Sequence, residues 1–459
     1  MGWGSLLGYL VISKMDNNVK RRNARKMRQR IAEEERNAAE RNKNLRGIYG
    51  TGAFCSATTL TLPSAAHETL LLTDGTSGDD RACFESITRT STVNLLTSGA
   101  NGVLRNQAIT FFCRDAISKG KTAIVLHSGN EDLQRRLSGR LSSSRYISVD
   151  GISYYYDPFT KMSPAEIATI ISKAAPTDYR LPPSTSKLVE VAAEILIRSG
   201  VANILRGLVN CPVNNLYPVL DKRHREGKLD DDTYNRLYAD YSRCQSEAHF
   251  LESYLHDLRG QLQDLPLERG SSSFDFAEAS RRSCVISINI SNPMNDLLVD
   301  LITEQLRDLL RRNHDIAIVL DGMDFHYDNK LMQMLKRNRN CNFAISSPDV
   351  FAAIGAKKEE LDSLLGADCR LILLRHGSPR SASYWSEYFG KYERTIILSS
   401  FNESQARFLS PAEITQGYAP RIDDVPKIMP DVFMNLTDSQ FCAYNAETGY
   451  ILLADITTI

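Results

Sequence analysis

The spacing of apolar and polar residues divides the chain into parts that predict different secondary structure. Between residues 91 and 128, two short apolar runs, STVNLLTS and TAIVLHS, flank NQAITFFCRDAISKG, whose apolar residues recur at helical spacing. The pattern predicts strand, turn, helix and strand, with Gly120 as the cap of the helix C-terminus. The next segments, EDLQRRLSGRL and YISVDGISYYYDPF, predict a helix and then short strands.

The alternation of predicted strands and helices gives way to helices alone near residue 176 and resumes near residue 268. The stretch between holds helical segments without an apolar run typical of a buried strand, and its tyrosines and leucines from position 234 to 262 predict a helical core stripe. After the Gly/Ser-rich ERGSSSFDF come five apolar runs, mostly separated by helical segments: SCVISINI, IAIVLDGM, NFAISS, RLILLRH and RTIILSS. Strands alternating with helices predict a parallel sheet covered on both faces. The C-terminal QFCAYNAETGYILLADI predicts a hairpin.

The N-terminal segment combines a short apolar run with a basic run. MGWGSLLGYLVIS holds about ten apolar residues, fewer than the roughly 20 that cross a bilayer, and does not match a signal peptide. It is compatible with a membrane interface, a docking site on a partner or an ordinary buried helix. The helix predicted from Met15 to Leu45 then carries seven basic residues without an acid among them: Lys20, Arg21, Arg22, Arg25, Lys26, Arg28 and Arg30. They are candidates for binding phosphates or an anionic membrane, or they form a solvated helix face.

Composition narrows the classes of function. The 459 residues are enough for roughly two to four domains, 42% are hydrophobic and the net charge is zero, so we expect a large core and no polyanion binding by the chain as a whole. The nine cysteines form no CxxC pair, which favours a reduced cytosolic protein over a disulfide framework or a zinc site. His127, His326 and His376 fall at strand ends or turns without clustered ligands, so we interpret each as structural.

The turn before the first predicted helix occupies the place of a phosphate-binding loop. In such a loop, backbone N–H groups at a helix N-terminus bind phosphate, a lysine bridges phosphates and a Ser or Thr hydroxyl binds magnesium, in the pattern G-x-x-x-x-G-K-[ST]. Here the pattern falls on GANGVLRN, with Gly99 and Gly102 present. Leu104 stands at the second glycine of the pattern, Arg105 at the lysine and Asn106 at the hydroxyl.

The segment DIAIVLDGMDF is a candidate for the second half of a nucleotide site. Asp321 ends an apolar strand, where an acid that holds a magnesium-bound water is expected. Gly322 stands where a working ATPase carries the glutamate that orients the attacking water. Asp324 lies two residues further on, which displaces a base by several ångströms. Asp321 and Asp324 alone are a weak signal for metal, and we predict no metal site.

The sequence from VLDGMDF to GKYE resembles the second half of type IV coupling proteins, the TraG/TraD-type conjugation ATPases of the FtsK–HerA superfamily. The residues that match are Arg339, Ser347, Gly355, Gly366, Arg375, Pro379, Ala382, Tyr384 and Gly390. YGTGAF at 49–54 is similar to the family's entry strand, and YDPF at 156–159 to the turn before its all-α domain. The resemblance is specific from Asp315 to Glu393 and follows the family's element order from about residue 45 to 450. It departs at the ATPase residues, including Ser346 in place of the glutamine that senses the γ-phosphate.

The resemblance implies a RecA-like P-loop NTPase fold of the α/β class with an inserted all-α domain. The expected segments are an N-terminal apolar and basic part at 1–46, a RecA-like domain at 47–155 and 280–459, and the all-α domain at 156–279. We expect STVNLLTS to lie centrally, beside the parallel strands TAIVLHS and IAIVLDGM.

Because the departures fall on catalysis, the resemblance favours a catalytically silent, coupling protein-like scaffold or substrate-recruitment subunit of a bacterial secretion or conjugation assembly. Alternatives are an active ATP-driven DNA translocase, and a nucleic-acid- or membrane-binding module unrelated to secretion. The degenerate pocket comprises Gly99, Gly102, Arg105, Asn106, Asp321, Asp324, Ser346 and Arg375. No catalytic residue is intact, and ATP with magnesium is a doubtful cofactor. The implied partners are secretion or coupling-complex proteins, further subunits, DNA, and the cytoplasmic face of the inner membrane as a peripheral contact.

Overall fold

The computed structural model describes most of the chain from residue 93 onward. The described residues are 29, 36, 58–60, 93–149, 154–179, 181–211, 213–262, 272–273, 276–290, 296–312, 314–322, 330–337, 341–355, 357–366, 369–403, 414–445 and 450–455.

Strands and helices alternate through this part of the chain. The strands are β1 Thr58–Leu60, β2 Asn94–Ser98, β3 Thr122–His127, β4 Tyr146–Val149, β5 Tyr154–Tyr155, β6 Ser272–Ser273, β7 Val285–Asn289, β8 Ile316–Asp321, β9 Asn342–Ser347, β10 Cys369–Leu373, β11 Lys391–Glu403, β12 Ile414–Pro426, β13 Gln440–Asn445 and β14 Tyr450–Asp455. The helices are α1 Gly102–Ser118, α2 Glu131–Arg140, α3 Pro164–Ala174, α4 Pro183–Arg198, α5 Ile204–Asn210, α6 Leu216–Arg225, α7 Asp231–Cys244, α8 Ala248–Gln261, α9 Phe276–Ala279, α10 Asp296–Arg311, α11 Lys330–Arg337, α12 Val350–Ala353, α13 Lys358–Leu365, α14 Pro379–Tyr388 and α15 Pro430–Asn435.

A ten-stranded sheet in the order β1-β14-β13-β10-β2-β9-β8-β3-β7-β4 forms the centre of the fold. The strands from β10 to β4 run parallel, and β13 and β14 continue the sheet antiparallel. All six residues of β3 and of β8 are buried, because helices cover both faces of the sheet. The prediction that TAIVLHS and IAIVLDGM lie parallel in one sheet is therefore confirmed, with Val125 opposite Val319. The C-terminal hairpin is also confirmed as β13 and β14.

Strand β2 lies in the middle of the sheet but not beside β3 or β8. It pairs with β9 and β10, so the expectation that it neighbours the other two strands directly is wrong. Helix α1 has 17 residues and is therefore about 25 Å long. The crossover through α1 passes β9 and β8 before the chain enters β3.

The apolar run RTIILSS also lies elsewhere than predicted. It belongs to β11, which pairs antiparallel with β12 in a separate two-stranded sheet rather than in the main sheet. An apolar run predicts a strand, but it does not specify which strand it pairs with. The partner β12 is close in sequence, so a hairpin forms without a crossover.

The residues between β5 and β6 form helices α3 to α8. Strands β5 and β6 pair with each other at the two ends of this insertion. Across the described part of 156–262, the chain contains helices and turns but no strand, as the sequence predicted. Most of the helical stripe is core: Leu237, Tyr241, Leu251, Leu255 and Leu258 are buried. Its member Tyr238 is instead 44% exposed.

Helix α10 joins the insertion to the sheet. The Tyr156 hydroxyl donates to Gln305 Oε1 at 2.7 Å, and Gln305 Nε2 donates to the Pro158 carbonyl at 2.9 Å, so the YDPF turn is attached to this helix. Lys330 Nζ donates to the carbonyls of two residues in the last turn of α3, at 2.9 and 2.7 Å, and lies 3.2 Å from Asp300 Oδ2. One ammonium group therefore links α3, α10 and α11.

The fold is thus an α/β, RecA-like arrangement with an inserted all-α region. The domain boundaries at residues 46, 155 and 279 stay a prediction. No helix among the described residues is long and apolar enough to cross a membrane.

Candidate functional site at the carboxyl edge of the sheet

The turn from β2 to α1 is held against two neighbouring strands. Gly99 has φ +133°, and a Cβ on it would lie 2.5 Å from the Leu374 Cβ, so only glycine fits. Gly99 N donates to the Ser347 carbonyl at 3.3 Å, and Ala100 N donates to the Arg375 carbonyl at 2.8 Å. Two N–H groups at the start of the candidate loop thus already donate hydrogen bonds within the protein.

The first turn of α1 is capped by an asparagine side chain. Asn101 Oδ1 accepts hydrogen bonds from Val103 N at 3.0 Å and from Leu104 N at 3.2 Å. Its side-chain nitrogen donates to the carbonyl of Asp438, which comes from the segment before β13. Backbone N–H groups at a helix N-terminus are those that would bind a phosphate. In this chain a carboxamide oxygen takes that place.

Arg105, at the position of the P-loop lysine, folds back onto its own loop. Its side chain is almost entirely buried, at 9% exposure, and Nη1 donates to the Gly99 carbonyl. A Cβ on Gly102 would lie 3.8 Å from Nη2 of the same guanidinium. The cation therefore closes the turn that would otherwise surround a β-phosphate.

Asn106, at the position of the P-loop hydroxyl, takes part in a chain of hydrogen bonds that ends at Asp321. Asn130 Nδ2 donates to Asn106 Oδ1 at 2.8 Å and to Asp321 Oδ2 at 2.6 Å. Asn106 Nδ2 donates to Asp132 Oδ2 at 2.9 Å. The Asn106 amide, followed by the Arg136 guanidinium, lowers the pKa of the Asp132 carboxyl. The two residues that would share a magnesium ion are instead bridged by an amide.

Asn130 and Asp132 were missed by the sequence reasoning. Asn130 is the N-cap of α2, and its Oδ1 accepts from Leu133 N at 3.0 Å. A usable signal was present: an asparagine before an acidic first turn, directly after a buried strand, predicts a cap at the carboxyl edge of the sheet. Parallel strands end at the same edge, so the cap lies near Asp321.

Ser346 and Asp321 lie side by side in the sheet. Thr97 is opposite Ser346, Ser346 is opposite Asp321, and Asp321 is opposite His127 in the strand register. The Thr97 and Ser346 hydroxyls are fully buried and make no hydrogen bond within the described structure. Ser346 is thus enclosed in the sheet, where the family's glutamine would extend toward a γ-phosphate.

Gly322, at the position of the ATPase glutamate, has a backbone that disfavours any other residue. Its φ is +63°, its N–H donates to the Ser346 carbonyl at 2.8 Å, and a Cβ would lie 3.5 Å from Ser128 Cβ. A glutamate here would adopt a left-handed conformation that L residues rarely populate. The catalytic carboxylate is therefore absent from a position whose backbone also disfavours it.

Two buried histidines flank the site. His127 Nδ1 accepts from Asn130 N at 3.2 Å, its Nε2 lies 2.9 Å from the Gln134 amide, and burial lowers the pKa of His127 to about 4. Burial also lowers the pKa of His376. With its proton on Nδ1, His376 donates to the Leu374 carbonyl at 2.7 Å, while Nε2 accepts from Ser98 at 2.8 Å. Burial therefore favours the neutral form of both rings, and their hydrogen bonds link neighbouring elements.

Six of the eight predicted pocket residues lie together in one cluster. The cluster at the carboxyl edge holds Gly99, Gly102, Arg105, Asn106, Asp321 and Ser346. The Arg375 side chain is half exposed and lies 3.6 Å from Asp438 Oδ1. Asp324, His326, Arg339 and the basic run from Lys20 to Arg30, apart from Gln29, lie outside the described residues. Among the described residues, no three His, Cys, Asp or Glu side chains are placed to share a metal ion.

A parallel sheet, a strand-to-helix turn with Gly99 and a strand ending in Asp321 together define a RecA-like P-loop NTPase fold. Solved structures of the bacterial conjugative coupling protein TrwB share it. An unbound form of TrwB lacking 70 N-terminal residues matches with a TM-score of 0.50 and 11% identity, covering 90% of this chain and 96% of that one. TrwB in complex with a non-hydrolysable GTP analogue matches with a TM-score of 0.50 and 12% identity, covering 90% and 97%. The chain therefore has a type IV coupling protein-like fold, as the sequence predicted.

No protein-family model matches the sequence, and no curated protein matches it.

Proposed function

We propose that the protein is a catalytically silent, coupling protein-like scaffold or substrate-recruitment subunit of a secretion or conjugation assembly. The observation that carries this proposal is the amide bridge from Asn106 through Asn130 to Asp321. It fills the position between the two motifs where magnesium and the nucleotide phosphates would have to lie.

The chemistry of this bridge is unfavourable for a metal ion. Magnesium requires oxygen ligands in near-octahedral geometry. The Asn130 NH₂ group points its hydrogens at both the Asp321 carboxylate and the Asn106 carbonyl oxygen. A magnesium ion would have to displace this donor and also break the cap that Asn130 forms on α2.

The phosphate side of the site is unfavourable as well. The N–H groups of Gly99, Ala100, Val103 and Leu104 already donate within the protein. Phosphoryl transfer depends almost entirely on positioning and on electrostatic stabilisation by such donors, a lysine and magnesium. The pairing of these donors within the protein and the loss of the lysine support a scaffold in preference to an enzyme.

The described lysines nearest in sequence do not replace the missing one. Lys119 Nζ pairs with Asp115 at 2.6 Å, and Lys121 Nζ lies 3.4 Å from Asp315. Both are at the far end of α1, about 25 Å from the turn by helix rise. An active translocase would therefore need a lysine from elsewhere in the chain or from another subunit.

A direct test is magnesium-dependent ATP binding and phosphate release by the full chain. We expect no binding below about 1 mM nucleotide, equivalent to about 4 kcal/mol, and no turnover above background with or without DNA. Turnover near 1 s⁻¹ that Asp321→Asn abolishes would overturn the proposal. Asp321→Asn is suited to this test because the new amide keeps an oxygen that can accept from Asn130.

A test in the cell separates a scaffold from an ATPase. In a strain that lacks the protein, Asp321→Asn should restore substrate delivery as well as the wild-type gene does. Gly99→Val is the matched negative control, because its Cβ would collide with Leu374. Failure of Asp321→Asn at normal protein abundance would show that the site has a catalytic role.

We further propose attachment to the cytoplasmic face of the membrane, directly or through a partner. The support is the apolar segment from Trp3 to Ile12 followed by the basic residues from Lys20 to Arg30. Flotation with anionic liposomes of the full chain and of a chain lacking residues 1–44 tests it. Equal flotation would exclude a lipid anchor at the N-terminus, and absence from cell membranes would exclude both routes.

A further inference from the structure

The hairpin of β11 and β12 is the longest two-stranded element in the described part of the chain. Each strand has 13 residues, and the register runs from Lys391 opposite Pro426 to Glu403 opposite Ile414. At about 3.3 Å per residue the hairpin extends roughly 43 Å. Its base is held where Lys427 N donates to the Gly390 carbonyl at 2.9 Å.

In the described part of the chain, no strand pairs with the outer edge of β11. Within the described structure, β11 and β12 pair only with each other. The outer edge of β11 lacks proline and glycine, whereas β12 is interrupted by Gly417, Pro420 and Pro426. Because proline has no N–H to donate, β11 is the edge that can accept another strand along its full length.

The sequence of β11 also favours a further strand. Its eight residues from Thr395 to Asn402 are uncharged and begin with the strongly strand-forming TIIL. Isolated two-stranded hairpins are marginal in water, and long edges of this kind are normally paired or protected by charges.

We propose that β11 pairs antiparallel with β11 of a second copy of this chain, which forms a four-stranded sheet across a two-fold axis. Charge complementarity in one register favours a second copy as the partner. When all thirteen residues pair, Ile397 lies on the axis and Lys391 lies opposite Glu403 of the second copy, at both ends of the interface. Opposite charges facing each other stabilise a pair of strands.

Neighbouring registers are less favourable. A shift of two residues in one direction places Glu393 opposite Glu403 of the second copy, again at both ends. A shift of two in the other direction places Lys391 opposite Phe401 and leaves Glu403 without an opposite residue. The full-length register is therefore the one that combines the most backbone pairs with both ion pairs.

Charge reversal at the two ends of β11 tests this arrangement. Within the hairpin, the residue directly opposite Lys391 is Pro426 and the residue directly opposite Glu403 is Ile414, and both are uncharged. Lys391→Glu and Glu403→Lys should each place two like-charge pairs in the dimer. We expect each to weaken self-association of the full chain roughly tenfold, measured by sedimentation velocity over a concentration series.

Mixing the two single variants gives the decisive result. A pair made of one Lys391→Glu chain and one Glu403→Lys chain has opposite charges at both ends, so an equimolar mixture should associate like the wild type. The double variant should also recover. Unchanged melting temperatures of the single variants would verify folding. The proposal is overturned if the wild-type chain stays monomeric at all concentrations, if single reversals leave association unchanged, or if the mixture associates no better than its components.

Discussion

Asn130 donates to the carboxylate of Asp321 across 2.6 Å although the two residues are 191 positions apart. The same side chain caps α2 and accepts from Leu133 N. One asparagine therefore holds a helix start and a strand end in a fixed relation, and its removal should affect both.

Asn130→Ala should destabilise the protein by about 2–4 kcal/mol. A lost N-cap costs about 1 kcal/mol, and each buried polar group left without a partner costs about 1–3 kcal/mol. Urea denaturation of the full chain measures the difference. Asp230→Ala is the matched control, because Asp230 caps α7 at an exposed position by accepting from Thr233 N at 2.7 Å and should cost only about 1 kcal/mol. Equal losses for the two variants would contradict a bridging role for Asn130.

Acid should weaken the fold through His127. Burial lowers its pKa to about 4 from 6.5, so between these values the unfolded chain binds more protons than the folded one. The stability contribution is complete above about pH 6.5 and is lost as the pH falls toward 4, by about 3 kcal/mol. The free energy of unfolding of His127→Gln should fall less than that of wild type between pH 7.5 and 4.5. His256→Gln, at an exposed position, is the control, and a pH dependence shared by all three chains would refute the assignment.

Lys330→Met should cost about 2–4 kcal/mol of stability. It leaves the Asp300 carboxylate, which is 7% exposed, without its opposite charge, and it removes the donor to the last turn of α3. Burial raises the pKa of Asp300, and the Lys330 ammonium opposes this shift. Adding Asp300→Asn to Lys330→Met should recover part of the loss, as measured by a double-mutant cycle. No recovery would mean that Lys330 acts only on the α3 carbonyls.

Restoring the two missing P-loop residues should not restore hydrolysis. Arg105→Lys with Asn106→Thr supplies an ammonium and a hydroxyl, but Asn101 still caps the helix and Gly322 still lacks a carboxylate. Phosphate release should therefore stay at background. Turnover by this double variant would contradict this expectation and would show that these two residues are enough to support hydrolysis on this fold.

The class of fold could be read from the sequence because buried parallel strands are continuous apolar runs, as in β3 and β8. The order of the strands could not. The segment STVNLLTS does not predict that β9 lies between β2 and β8. That position depends on how many strands the crossover from β2 to β3 passes. The assignment of RTIILSS to the main sheet was wrong because local pattern does not distinguish a crossover strand from a hairpin strand.

The sequence predicted where the candidate site lies, but not which contacts within the protein occupy it. The strand–turn–helix pattern, together with the resemblance to coupling proteins, predicted Gly99, Arg105 and Asn106 at a strand-to-helix turn in the same site as Asp321. The contacts that close the site come from Asn130, Asp132 and Asp438, which approach only in the folded chain. Spacing also could not reveal that Arg105 folds inward, because a side-chain direction depends on the neighbours that surround it.

The backbone hydrogen bonds that hold the turn at Gly99 and Ala100 have a consequence for nucleotide-driven conformational change. A ligand can drive a conformational cycle only if the protein has two arrangements that bind the ligand differently. Here the N–H groups that a nucleotide would reorganise are already bonded to the ends of β9 and β10. Under the proposed scaffold function, the other subunits of an assembly that contains this chain would therefore set the order of its conformational steps.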